Sequence, residues 1–179
     1  MSRPHRLRCE YFTNPLCIDT LRPRLSWQIQ DDRRGARQTA YQIVVDDGVW
    51  DSGKVASDQS VHVEYGGSPL KSRQRCTWRV RTWDMNGEPA DWSEPAFWEM
   101  GLLARSDWKA QWIGAATVGG PYTSPPAPYV RKAFSVAKPI ASARLYVTAL
   151  GMYEFEINGQ PVGDYVFAPG RTEYRKRVP

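Results

Sequence analysis

The chain has 179 residues, 41% of them hydrophobic, and a formal net charge of +5 from 24 Lys and Arg against 19 Asp and Glu. That length admits one large domain or two small ones, and the hydrophobic share is that of a globular protein. The positive charge is scattered: its only dense run, Arg33, Arg34 and Arg37, sits in a turn-like stretch, so the basic stripe interleaved with aromatics that nucleic acid requires is missing and no nucleic acid is expected as a partner.

No stretch approaches ~18 consecutive apolar residues, and Met1 to Cys9 is polar and Arg-rich with no apolar segment behind it, so neither a membrane span nor a secretory leader is read. Cys9, Cys17 and Cys76 are odd in number and lack the close spacing of a zinc site. A reducing compartment, hence a cytoplasmic location, is expected. With 8 Trp and 9 Tyr, and with Val, Ile and Thr in short runs between Gly and Pro, the composition is that of strands separated by turns.

In chain order, the first clear strand is predicted at Leu25, Trp27 and Ile29, which point one way while Ser26, Gln28 and Gln30 point the other, with Pro23 closing off what precedes. The alternation returns at Tyr41, Ile43 and Val45, ended by Asp46-Asp47-Gly48, and at Val61, Val63 and Tyr65, ended by Gly66-Gly67. The strongest strand is Cys76 to Asp84, where Trp78 and Val80 share a face and Arg79, Arg81 and Trp83 occupy the other. Asn86-Gly87 turns the chain, and after Trp92-Ser93-Glu94-Pro95 a last strand runs through Ala96, Trp98 and Met100. About seven short strands over roughly a hundred residues is the pattern of one immunoglobulin-like sandwich, assigned here to residues 1–104.

A boundary is placed at Ala104 to Lys109, followed by Gln111-Trp112-Ile113-Gly114 and by a Gly-, Ser- and Pro-rich stretch, Thr117 to Pro128, that favours extended chain. Pattern resumes at Tyr129 to Phe134 and is clear from Ala141 to Leu150, with Ala141, Ala143, Leu145, Val147 and Ala149 on one face. Gly151 breaks that strand. Tyr153, Phe155 and Ile157 line the next, and Asn158-Gly159 is the pair that a tight hairpin prefers. Only about four or five strands fit before Pro179, just past the basic run Arg175-Lys176-Arg177. Residues 105–179 are therefore expected to be a second sandwich, truncated at its C-terminal end and exposing strand edges and an apolar face.

These segments resemble, in order and in wording, the N-terminal part of bacterial α-L-rhamnosidases, which hydrolyse terminal rhamnose from glycosides. The residues that carry the likeness are Cys9-Glu10-Tyr11-Phe12-Thr13-Asn14-Pro15-Leu16, Arg22-Pro23-Arg24-Leu25-Ser26-Trp27, Gln38-Thr39-Ala40-Tyr41-Gln42-Ile43, Trp50-Asp51-Ser52-Gly53-Lys54-Val55, Trp78-Arg79-Val80-Arg81 and Trp92-Ser93-Glu94-Pro95. They are similar to the fibronectin type III-like domain that opens those enzymes. Ala143-Arg144-Leu145-Tyr146-Val147-Thr148-Ala149-Leu150-Gly151, Tyr153-Glu154, Ile157-Asn158-Gly159, Val162-Gly163 and Ala168-Pro169-Gly170 resemble the jelly-roll-like sandwich that comes next. Two positions depart from the pattern, which has Gly where this chain has Cys17 and Trp where it has Arg171. The resemblance implies an all-β fold, a fibronectin type III-like sandwich followed by an incomplete jelly-roll-like one. It further implies that the catalytic carboxylates belong to a helical (α/α)₆ barrel downstream, so no catalytic residue transfers to this chain. The catalytic barrel domain is then the expected partner, with rhamnosides as possible ligands. The alternative is a fibronectin-like protein-binding or adhesion module unconnected with glycosidases.

Glycoside hydrolysis needs two carboxyl groups about 5 to 9.5 Å apart across a sugar, in a cleft that adjusts at least one pKa. Glu154 and Glu156 alternate with Tyr153, Phe155 and Ile157 and so project from one strand face roughly 6.5 to 7 Å apart, but they read as the solvent side of that strand. Asp31-Asp32 and Asp46-Asp47 read as turn and strand-end residues, His5 and His62 as surface residues, and Gly66-Gly67 and Gly119-Gly120 as turns rather than phosphate loops. Asp164 followed by Tyr165 is too little for a calcium site, so no metal or cofactor is expected. For carbohydrate, Trp83 and Trp92 are the candidates because both lie outside the core pattern. The competing account is a surface cation–π ladder with Arg79 and Arg81.

Overall fold

Alternating side chains select strands in this chain. In the computed structural model, which describes residues 3–116, 119–120, 122–123, 125–170 and 172–176, they yield nine strands and no α-helix among those residues. Thr117, Arg171 and Arg177, which figured in the sequence expectations, lie outside the described residues. The chain divides into two compact units, Met1–Ile113 and Gly114–Pro179.

In the first unit β1 (His5–Cys9), β2 (Arg24–Gln28), β3 (Ala40–Val45), β4 (Trp50–Asp51), β5 (Val63–Glu64), β6 (Arg75–Trp83) and β7 (Ala96–Glu99) pair antiparallel in two sheets, in the orders β1-β2-β5 and β4-β3-β6-β7. Three strands against four is the immunoglobulin-like sandwich. The inward faces meet in one core that includes Leu25 and Trp27 from β2, Ile43 and Val45 from β3, Trp78 and Val80 from β6, and Trp98 from β7, with Tyr65 and Met100 beside them. Among the indoles, Trp27 is satisfied: its Nε1 donates to Gln38 Oε1 at 3.0 Å, and Gln38 Nε2 donates in turn to the carbonyls of Ser57 and Gln59.

Two strands escaped the sequence pattern. In β1, Leu7 and Cys9 point inward while Arg6 and Arg8 are exposed, so the guanidinium groups hid an ordinary alternation; a bulge with Arg6 at φ 49° interrupts its register with β2. β4 has only two residues, too few for a period to show. Val61, expected to point inward, is instead 54% exposed. His62 adopts φ 56° and its N–H donates to Ser26 Oγ, which kinks the chain and delays regular pairing until Val63.

Cys9 and Cys76 are buried in this core while Cys17 is exposed, and none of the three is in a disulfide. No Cα of β1 comes within 8 Å of one in β6, whereas a disulfide tolerates at most about 7 Å, so the two buried thiols cannot join without moving a sheet. Burial pushes both up to about 12, Glu10 adding to the effect on Cys9 and Asp46 to that on Cys76. Since the thiolate is the reactive form, a thiol-disulfide reagent at pH 8 should titrate one group quickly in the native chain and three in urea. Three fast groups in the native chain would contradict the burial. Cys17 also sits at φ 61°, where a side chain is disfavoured.

In the second unit the hairpin is as expected: β8 (Glu156–Ile157) pairs with β9 (Gln160–Pro161), Ile157 opposite Gln160, and the two loop residues Asn158 and Gly159 adopt φ 53° and 75°. Tyr153 bridges to Ala168, and Gly120 forms a turn with Thr123. Residues 141–150 join no β-ladder among the described residues. No described residue from 114 onward is fully buried, and Tyr129, Phe134, Met152 and Phe167 are exposed.

Candidate functional site

The outer face of the β4-β3-β6-β7 sheet gathers the polar and aromatic side chains that the core pattern left over. Register does this: Gln42 lies opposite Arg81 and Val44 opposite Arg79 across the β3–β6 ladder, while Val44 also faces Asp51 of β4. Arg81 donates through Nε and Nη2 to Gln42 Oε1 at 3.0 and 2.7 Å, and Gln42 Nε2 donates to both oxygens of Asp51 at 2.7 and 2.9 Å. Asp51 Oδ1 also accepts the N–H of Gly53. A charged chain therefore runs from Asp51 through Gln42 to Arg81.

Trp83 and Trp92 meet at the far end of that chain, with the Arg81 guanidinium 5.0 Å from one ring and 4.7 Å from the other. Trp83 is nonetheless only 7% exposed, because Lys54 Nζ covers its ring at 4.6 Å. Trp92 remains half-buried and is held by its neighbours: the Ala90 N–H donates to the Thr82 carbonyl, the Ser93 N–H donates to the Val80 carbonyl, and the Val80 N–H donates to Ser93 Oγ. The serine of the Trp-Ser-Glu-Pro segment thus closes the ladder that β7 leaves unfinished. Beside Trp92 opens a cavity of about 630 Å³, lined among others by Val44, Asp46, Asp51, Thr77, Arg79 and Trp92. Asp46 is fixed there by the Thr77 N–H at 2.7 Å. Of these residues sequence reasoning had singled out Trp92. Gln42 and Asp51 were missed, although an outward Gln in a core strand opposite an outward Arg was a usable sign.

The remaining carboxylates do other work. Arg24 grips Glu10 with its Nε, Nη2 and backbone N–H, the last at 2.6 Å, and lies 5.3 Å from the Tyr11 ring. Arg33 bridges Asp31 and Asp84 at 2.6 and 2.7 Å, and Asp84 Oδ1 accepts the N–H groups of Asn86 and Glu88 to shape the Asn86-Gly87 turn. Asp107 accepts from Ser72 Oγ and the Ala104 N–H. All four are held below the usual carboxylate range: Glu10 chiefly by Arg24, Asp31 and Asp84 chiefly by Arg33, Asp107 chiefly by Ser72. The native state then binds fewer protons than the unfolded chain, so their stabilisation is complete above the ordinary carboxylate pKa of about 4 and disappears on acidification below it. The raised thiols act oppositely, contributing below an ordinary thiol pKa of about 8.5 and losing that contribution as pH rises towards 12. The urea midpoint should accordingly be level between pH 5 and 8 and fall on both sides. A midpoint that rises between pH 4 and 3 would show that these ion pairs do not stabilise the fold.

Glu154 and Glu156 are exposed at the β8 hairpin, and Asp164 is exposed as well. His5 is half-buried, while His62 is exposed with its ring edge-on to Tyr11 at 5.0 Å. Among the described residues no three His, Cys, Asp or Glu side chains converge as a metal set would.

Comparison with known proteins gives the same order of domains. Residues 4–104 match the family described as Rha78A-like, N-terminal immunoglobulin domain, and residues 138–179 match the α-L-rhamnosidase N-terminal domain. An α-L-rhamnosidase of Formosa agariphila is 40% identical over 189 residues, covering 97% of this chain and 20% of the relative. The structure of α-L-rhamnosidase from Dictyoglumus thermophilum superposes with a TM-score of 0.87 at 36% identity, over 98% of this chain and 22% of that one. The Streptomyces avermitilis α-L-rhamnosidase complexed with L-rhamnose gives a TM-score of 0.60 at 45% identity, over 63% of this chain and 12% of that one. The chain thus spans about a fifth of the length of the curated relatives it matches. A seven-stranded sandwich followed by the hairpin of a second β unit, matched in that order by both domain families, belongs to the N-terminal region of the α-L-rhamnosidase family.

Proposed function

We propose that the chain serves as the accessory, non-catalytic N-terminal portion of an α-L-rhamnosidase, with residues 1–104 and 105–179 as two sandwich domains that brace a catalytic barrel in the same polypeptide. The observation that carries this reading is that residues 4–104 and 138–179 match, in order, the two N-terminal domain families, over about a fifth of the relatives' length, and the carboxyl groups agree with it. A glycosidase acid must keep its proton near neutral pH and therefore needs a raised pKa. Each carboxyl with a resolved shift is instead locked as an anion by donors from Arg, Ser or the backbone. The purified chain should release no nitrophenol from nitrophenyl α-L-rhamnoside above a matched blank. Turnover that survives purification and is abolished in a Glu154→Gln, Glu156→Gln double variant would defeat the proposal.

The two tryptophans enter on unequal terms. Trp83 is covered by Lys54 and Arg81, which leaves Trp92 as the ring a sugar can reach. A cytoplasmic location is proposed from the three cysteines, none of which is in a disulfide. No helix among the described residues is long and apolar enough to cross a membrane.

A further inference from the structure

We infer that the cavity between Trp92 and Asp51, on the outer face of the four-stranded sheet, binds a neutral pyranose. The inference rests on the rhamnosidase reading only for the choice of sugar. Its size, about 630 Å³, falls within the roughly 300–1,000 Å³ of small-molecule sites.

The walls supply the chemistry that a sugar ring requires. Trp92 offers an indole whose position is already fixed, by the backbone bonds of Ala90 and Ser93 to β6 and by the Arg81 guanidinium stacked on it, so little side-chain freedom is lost when a ring packs against it. Asp51 and Asp46 are acceptors of fixed orientation, the first set by Gln42 and Gly53 and the second by the Thr77 N–H. A carboxylate has about four lone-pair sites, so each retains capacity for hydroxyl donors. Arg79 makes no ion pair or hydrogen bond among the described residues and is exposed, leaving its five N–H groups for hydroxyl or ring oxygens. Val44, half-buried, adds an apolar spot suited to the methyl group of a 6-deoxy sugar.

Charge decides between ligand classes. The lining sets two carboxylates against Arg79, with the Arg81 guanidinium over Trp92, so no net positive charge draws in a sugar acid or a phosphate, whereas a neutral polyol donates to the carboxylates and accepts from Arg79. The ring of Trp83, buried under Lys54, takes no part.

The test is an amide and indole N–H chemical-shift titration of the intact chain with L-rhamnose up to about 50 mM, a range that detects millimolar dissociation constants. Saturable shifts are expected at Gly48, Asp51, Thr77, Arg79 and the Trp92 indole, with the Trp83 indole unmoved. Trp92→Ala, and independently Arg79→Gln, should each weaken binding about tenfold or more while the dispersed spectrum of the folded chain is kept. Galacturonate should bind more weakly than rhamnose. Absence of saturable shifts, shifts that both variants leave intact, or tighter binding of galacturonate would each overturn the site. None of these outcomes bears on whether the isolated chain turns over a rhamnoside, so the site and the accessory role fail separately.

Discussion

Replacing Trp78 with Ala is expected to cost about 3 to 5 kcal/mol and to unfold the first unit at low urea. A domain of this size has only about 5 to 15 kcal/mol to lose. Trp78 is 1% exposed and stands mid-strand in β6, the longest strand, which pairs with β3 on one side and β7 on the other. Its Nε1 has no hydrogen-bond partner among the described residues, so the loss is one of packing: transferred apolar surface plus a cavity that sheets paired on both sides cannot close. The same fact makes Trp78→Phe informative. A phenyl ring keeps most of the volume and removes an N–H that was desolvated without compensation, so about 1 to 2 kcal/mol is expected. Equal urea midpoints for the two variants, or a loss for the alanine variant within about 1 kcal/mol, would show that this indole is not central to the core.

Gly67→Ala should cost about 1 to 3 kcal/mol. A Cβ at position 67 would lie 2.3 Å from Tyr65 Oη and 2.4 Å from its Cζ. Elsewhere a tyrosine would swing aside, but this one is buried with its ring edge-on to Trp50 at 5.0 Å and to Trp98 at 5.6 Å. Moving it means repacking two tryptophans. Gly66→Ala is the matched control, since its Cβ would meet the Trp50 ring at 3.3 Å, a contact that a half-buried side chain relieves by a small shift. Urea melts of the two variants side by side should rank Gly67→Ala well below Gly66→Ala, and the reverse order would place the constraint on Trp50 instead.

Much of the first unit was legible because its information is local. Tyr41, Ile43 and Val45, or Trp78 and Val80, declare a face at a period of two wherever the strand falls in space. Asn158-Gly159 declares a hairpin because few other pairs accept positive φ twice in succession. Where residues carried long apolar stems under charged heads, as in Arg6 and Arg8 of β1, the same period was present but masked. Val61 marks the limit: a single left-handed residue at His62 overrode a clean alternation.

The candidate site was legible only in part. Trp92 stood out as an aromatic outside the core pattern, and so did Trp83, yet nothing local separates them. Their difference lies in Lys54, which comes from the segment after β4 and settles on Trp83.

From the sequence alone follow the all-β class, the two-part order and the identity of the core indoles. These depend on which side chains alternate and which pairs turn, properties that neighbours along the chain decide. Only the tertiary structure decided that Asp51, Gln42, Arg81 and Trp92 form one connected face and that a cavity opens beside it, because those contacts join residues 9 to 39 positions apart through strand register. Register is set by how two sheets pack their inner faces, and the outer face inherits whatever arrangement that packing imposes.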